Sequence, residues 1–186
     1  MSGAACSAYG VIKLTRVLLS GYYGFNNAGD EAILCSIIDG LKQTIPSVEI
    51  IVLSGNPAET RQLYGVRAIS RVNYPRLIIE LSRADLLISG GGSLLQDVTG
   101  SLSIPYYLSI VAVAKLMKVP VMVFSQGVGP VQRSFSATLI RRILSGVQSL
   151  TVRDRQSAQL LTEIGLPEDS IKLTADPVFL DRKSVV

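Results

Sequence analysis

A chain of 186 residues with 48% hydrophobic and 17% charged side chains is long enough for one packed domain, short for two, and too apolar to stay unfolded. Its 18 basic and 14 acidic residues leave a formal charge of +4 without any run of five like charges. That balance suits a small anionic ligand or a weak pull towards an anionic surface, and it argues against nucleic acid, which calls for a clustered basic stripe. With no histidine, no CxxC and only Cys6 and Cys35, neither a metal centre nor a disulfide framework is expected, and a reducing compartment is the simpler setting.

"MSGAACSAYGVIKLT" lacks the continuous apolar core and cleavage site of a signal peptide. Residues 1–15 read as an extension outside the fold, disordered or vector-derived. "RVLLSG" (16–21) reads as a first strand ending at glycine. Behind it Ile33, Leu34, Ile37, Ile38 and Leu41 recur at helical spacing. "VEIIVLS" (48–54) is a second strand, and "NPAETRQLYG" a short helix with Pro57 in its first turn and Gly65 at its stop. "VRAIS" (66–70) is a third strand and "PRLIIELSRA" a third helix. "DLLISGGGS" (85–93) is a buried strand running into glycines.

The span "IPYYLSIVAVAKLMKVPVMVF" (104–124) is the most membrane-like. Lys115, Lys118 and Pro120 interrupt it before about 20 apolar residues accumulate. It is therefore read as a buried helix over 103–118 followed by a strand, "VPVMVFSQGVGP" (119–130). "SATLIRRILSGV" is an amphipathic helix with Arg141 and Arg142 on its solvated face. "SLTVRD" (149–154) is a strand, "RQSAQLLTEIG" a helix stopping at Gly165, and "SIKLTADP" (170–177) a last strand.

Six or seven strands apolar on both faces and separated by helices predict a parallel, doubly wound α/β domain over residues 16–180. Ligands of such sheets sit beyond the carboxyl ends of the strands. The unusual residues fall there: 21–29, 89–93, 126–129, Arg153 with Asp154, and Asp176 with Pro177. In "SGGGSLLQD", Gly91, Gly92 and Ser93 let the backbone approach a ligand and turn N–H groups inward. If a helical turn starts at Ser93, its dipole favours an anion, or Ser93 serves as its N-cap. No Gly-Lys-Ser/Thr follows, so this is not a Walker A loop. In "SGYYGFNNAGDEAIL", Asn27 is an N-cap candidate with Asp30 three residues on, a variant capping box. Asp30 and Glu31 partly oppose a second anion there, so Gly24, Asn27 and Asp30 are expected to meet a neutral polyol or the ligand's edge rather than a phosphate, unless Asp30 only caps the helix. Arg153 is the candidate for bidentate capture of carboxylate or phosphate, the alternative being an ion pair with Asp154 or Asp176. Gln126 and Gly127 complete the glycine-rich edge. Without histidine, and without GxSxG spacing, no nucleophile–base dyad can be assembled.

Taken in order, "SGYYGFNNAGDEAIL", "LLISGGGSLLQDVTG", "SIPYYLSIVAVAKLMKVPVMVFSQGVGP" and "LTVRDRQSAQLL…GL" resemble the polysaccharide pyruvyl transferase family, most of all its bacterial CsaB-type members, over residues 17–179. The resemblance implies a GT-B-like enzyme of two Rossmann-type domains with the active site between them. It implies transfer of pyruvate as a ketal from phosphoenolpyruvate to an N-acetylmannosamine residue of a lipid-linked cell-wall polysaccharide precursor, the route to S-layer anchoring, without a cofactor. It further implies a cytoplasmic setting at the inner face of the membrane, compatible with peripheral membrane contact and with homo-oligomers. Arg153 and Asp30 are then the expected catalytic groups, and Gly24, Asn27, Gly91, Gly92, Ser93, Gln126 and Gly127 the expected substrate contacts. Family chains are about twice as long and place further arginines and a histidine in a second domain. Residues 181–186 are thus expected to lead into an absent C-terminal domain, and this chain alone is expected to be inactive. A GT-B glycosyltransferase half and a non-catalytic sugar- or anion-binding module remain the other readings.

Overall fold

The computed structural model describes residues 14–98 and 102–177. Cys6, Thr99, Gly100, Phe179 and the tail 181–186 lie outside the described residues. Seven strands, β1 (Thr15–Tyr23), β2 (Val48–Ser54), β3 (Arg67–Ser70), β4 (Leu86–Gly90), β5 (Val121–Gln126), β6 (Ser149–Val152) and β7 (Ile171–Leu173), form one sheet in the order β3-β2-β1-β4-β5-β6-β7. All pairs are parallel. β1 begins at Thr15, paired with Val48, one residue inside the stretch read as an extension.

Among the described residues six α-helices connect them: α1 (Ala28–Thr44), α2 (Pro57–Tyr64), α3 (Tyr74–Leu81), α4 (Ser103–Leu116), α5 (Ser134–Leu144) and α6 (Arg155–Ile164). Side chains alternate across a strand, so β1 feeds both faces of the sheet. Val17 and Leu19 pack with Ile33, Leu34, Ile37 and Ile38 of α1. Leu18 belongs to the core on the opposite face, which also holds Leu77 and Leu81 of α3, Ile104 and Leu108 of α4, Ile140 of α5 and Leu161 of α6. The two faces are thus covered in chain order, first by α1 and then by α3 to α6, which is the doubly wound α/β arrangement. α4 is apolar nearly all round because it lies deep in the second layer, with Ile104, Tyr107, Leu108, Ile110, Val111 and Ala114 buried. Among the described residues no helix is long and apolar enough to cross a membrane.

The helix ends follow local chemistry. Asn27, Asn56, Asn73 and Asp154 each accept backbone N–H bonds as N-caps, and Gly65 and Gly165 close α2 and α6 in the left-handed conformation. At the amino ends of the strands Arg16, Glu49, Arg67 and Glu80 form a chain of ion pairs. This polar seam closes the end of the sheet opposite the glycine-rich edge.

Candidate active site

Strand order reverses between β1 and β4, and ligands of open α/β sheets bind outside the carboxyl ends of the strands at such a point. An open cleft of about 570 Å³ lies there. The β1–α1 turn supplies Tyr22, Asn27, Gly29, Asp30 and Ile33, and the segment after β4 supplies Gly92, Ser93, Leu94 and Gln96. Ser103 and Tyr107 come from α4, and Arg153 from the end of β6.

The β1–α1 turn is tied from behind. Gly24, at φ +76°, donates its N–H to Glu31 Oε1 at 2.7 Å. The other oxygen of Glu31 accepts from Tyr64 Oη at 2.7 Å. Asn27 Oδ1 caps α1 by accepting from the N–H groups of Gly29 and Asp30. Among the described residues the Asp30 carboxylate makes no reciprocal capping bond; it reaches across to Gly92, where an added Cβ would lie 2.5 Å from its Oδ1. Burial, then the neighbouring Glu31 charge, hold the Asp30 carboxyl above its ordinary value of 3.8, against an opposing pull from Arg153.

Gly91 and Gly92 follow β4 at φ +75° and +88°, a region L side chains rarely adopt. Gly92 O accepts from Gly127 N at 2.9 Å and from Gln126 Nε2 at 3.1 Å. Among the described residues the N–H groups of Gly92 and Ser93 donate to no protein acceptor. No helix starts at Ser93. The chain instead bridges Leu95 to Val128, and the next helix begins at Ser103 without a side-chain cap. The expectations of a helix dipole and of an N-cap role at Ser93 are therefore corrected: left-handed glycines and the β5 extension carry this segment past the edge of the sheet.

Arg153 is braced on three sides. Its Nη2 donates to Ser93 Oγ at 2.8 Å and its Nη1 to Asp176 Oδ2 at 3.2 Å, and its Nε lies 3.7 Å from Asp154 Oδ2. Both ion-pair alternatives are thus present together, and the side chain still keeps 30% of its surface exposed. Arg153 is the one cation lining the cleft among the described residues. Five donors in a planar fork allow such bracing without using up the guanidinium.

Asn27, Asp30, Gly92, Ser93 and Arg153 are brought together on the cleft wall, as the sequence reading groups them. Gly24, Gly91, Gln126 and Gly127 do not line it, which corrects their expected place. Gly91 is packed against Ile33, where any Cβ would collide. Gln126 is 1% exposed, with its amide nitrogen given to Gly92 O and Gly127 O. Gly127 lies under Arg153, leaving 3.0 Å between an added Cβ and Nε. These four shape the wall from behind. Tyr22, Ile33, Gln96, Ser103 and Tyr107 join it without having been singled out. A tyrosine early in an otherwise apolar helix that follows a glycine cluster was the available signal for Tyr107. Among the described residues no three His, Cys, Asp or Glu side chains are grouped to hold a metal ion.

The fold is Rossmann-like and is shared with domains of solved glycosyltransferase and sugar-nucleotide epimerase structures. Anabaena HepE, solved with UDP and glucose, superposes with a TM-score of 0.58 at 11% identity, over 88% of this chain and 45% of that one. The UDP-N-acetylglucosamine 2-epimerase of Rickettsia bellii superposes at 0.57 with 14% identity, over 89% and 46%. At such identities the likeness is one of fold. The model of the family described as polysaccharide pyruvyl transferase matches residues 27–185, and the chain belongs to that family. The amylovoran biosynthesis protein AmsJ of Erwinia amylovora is 24% identical over 90% of this chain and 49% of its own length. The chain spans about half the length of these relatives.

Proposed function

We propose that this domain is the half of a polysaccharide pyruvyl transferase that receives phosphoenolpyruvate and presents a sugar diol to it. In the reaction two sugar hydroxyls add to the enol carbon of the donor and the phosphate leaves. One hydroxyl proton ends on the methylene, which becomes a methyl group, and the other departs with phosphate. The donor carries a carboxylate and a phosphate, so it needs fixed donors in a site sheltered from water. Family membership and a relative named for amylovoran biosynthesis support a transferase acting on polysaccharide.

The observation that carries the reading is Arg153 held against Ser93 Oγ beside the unbonded N–H groups of Gly92 and Ser93. Arginine and free amides attract an anionic donor, the guanidinium by charge-assisted bonds. Asn27 and Asp30, from the β1–α1 turn, suit the acceptor's hydroxyls, and a carboxylate whose pKa is raised by burial is better matched to taking a hydroxyl proton. The acceptor is proposed to be an N-acetylmannosamine residue of a lipid-linked cell-wall precursor, as in CsaB-type members. The rest of the catalytic apparatus is assigned to the half of the relatives that this chain does not match.

The test is the full-length enzyme with phosphoenolpyruvate and a diol-bearing acceptor, scored by phosphate release and by the ketal carbon in NMR. Asp30→Ala is expected to lower turnover and acceptor use by about tenfold to a hundredfold, equivalent to ~1.5–3 kcal/mol, with the donor KM unchanged. Failure to form a ketal with any diol sugar would reject the reading. A ketal formed at an undiminished rate by Asp30→Ala would remove Asp30 from it.

A further inference from the structure

The outer side of α3 departs from what a surface helix normally shows water. Leu77, Glu80 and Leu81 face inward, but Tyr74, Ile78 and Ile79 are each about half exposed and Val72, just ahead of the helix, is 68% exposed. By helical spacing Tyr74 and Ile78 are neighbours, and Ile79 adjoins them on the same outer half. A surface helix of a globular domain usually turns charged and polar residues outward, and contiguous apolar exposure marks an interaction site.

Within residues 71–84 the exposed charges are basic. Arg76 and Arg83 are exposed, and among the described residues neither is paired with a carboxylate. Glu80, the one acid between residues 71 and 84, is 4% exposed and bound to Arg67 on the inner side. The face also reaches the cleft. Arg71, at the turn before α3, lies 4.1 Å from the Tyr106 ring centre and 5.1 Å from that of Phe25. Phe25 stacks on Tyr22 at 4.3 Å, both are about 40% exposed, and Tyr22 lines the cleft.

We propose that the outer face of α3, with the Tyr22–Phe25 pair beside it, docks on an anionic lipid bilayer and sets the mouth of the cleft at the membrane surface. Apolar and aromatic side chains enter the interfacial region while flanking arginines meet the headgroups, the pattern of a helix lying in the interface plane. Charge favours lipid over a second copy of the chain, because a two-fold contact on this face would bring Arg76 and Arg83 near their own counterparts. Vesicle binding requires no substrate, so this inference can fail while the proposed reaction stands, and the reverse.

The experiment is co-sedimentation of the full chain with vesicles of phosphatidylcholine alone and of phosphatidylcholine with about 30% phosphatidylglycerol. Binding is expected to the anionic vesicles and to weaken in high salt. Ile78→Glu/Ile79→Glu is expected to abolish it. Arg76→Gln/Arg83→Gln is expected to weaken it by about fivefold per arginine. Circular dichroism checks that both variants fold. No sedimentation with anionic vesicles, or binding that survives both pairs of substitutions, would overturn the proposal. So would a solution dimer that Ile78→Glu/Ile79→Glu converts to monomer, since the face would then join two copies.

Discussion

Gly92 shows how closely single residues are constrained at the cleft. Its φ of +88° and the 2.5 Å between an added Cβ and Asp30 Oδ1 leave room for hydrogen only. Gly92→Ala should therefore destabilise the domain by about 1–3 kcal/mol, read as a lower midpoint in chemical denaturation. Asp30 has the opposite signature. Its folded pKa is raised, first by burial and then by Glu31, so its ionised form costs stability above that pKa, and the cost fades as pH falls below the ordinary value of 3.8. Asp30→Asn should accordingly raise the melting temperature of the unliganded protein at pH 7, with the gain disappearing below about pH 4. A melting temperature lowered at pH 7 would show the carboxylate to be structural. Asn27, Asp30 and Arg153 were legible in the sequence because each is a polar residue at the end of an apolar run. Gln126 looked equivalent, yet its amide serves Gly92 O and Gly127 O inside the wall. Nothing local distinguishes a polar side chain facing solvent from one facing its own backbone.

At the scale of elements, β2 is found over the residues the sequence predicts, and α2 runs from its expected Pro57 first turn to its expected Gly65 stop, with Asn56 as the cap. Strong periodicity and capping chemistry make such elements local problems. The segment after β4 was not local. A glycine run permits a helical turn at Ser93 as readily as an extended path, and the choice rests on the bridge from Leu95 to Val128 and on Asp97, whose carboxylate accepts from Gln132 N and Arg133 N. Asp97→Ala should thus loosen the approach to α5. Two backbone N–H groups would lose a charged acceptor, a loss of about 1.5–3 kcal/mol, with faster hydrogen exchange at those two amides as the site-specific readout.

At the scale of the whole molecule, the two ends of the sheet have different work. The amino ends are closed by the seam from Arg16 to Glu80. The bond from Arg67 is the main cause holding the Glu49 carboxyl below its ordinary 4.5. A lowered folded pKa gives stability that is present above the unfolded value and is lost as pH falls through the folded one. Glu49→Gln should then flatten the fall in melting temperature below about pH 4.5. The carboxyl ends stay open, and there the reversal of strand order gathers four separated stretches of sequence into one cleft. The alternation of strands and helices made that gathering foreseeable. It could not give the bracing of Arg153 by Ser93, Asp154 and Asp176, which depends on the register of β6 against β5 and on the chain beyond β7. The central claim, that Arg153 captures the anionic donor, is tested most directly by calorimetric titration of phosphoenolpyruvate into the full-length protein and its Arg153→Ala variant. The account predicts donor affinity weakened about tenfold to a hundredfold, equivalent to ~1.5–3 kcal/mol, with the variant's circular dichroism spectrum unchanged. Equal affinities in two equally folded proteins would contradict it and leave Arg153 as the partner of Asp154 and Asp176 alone.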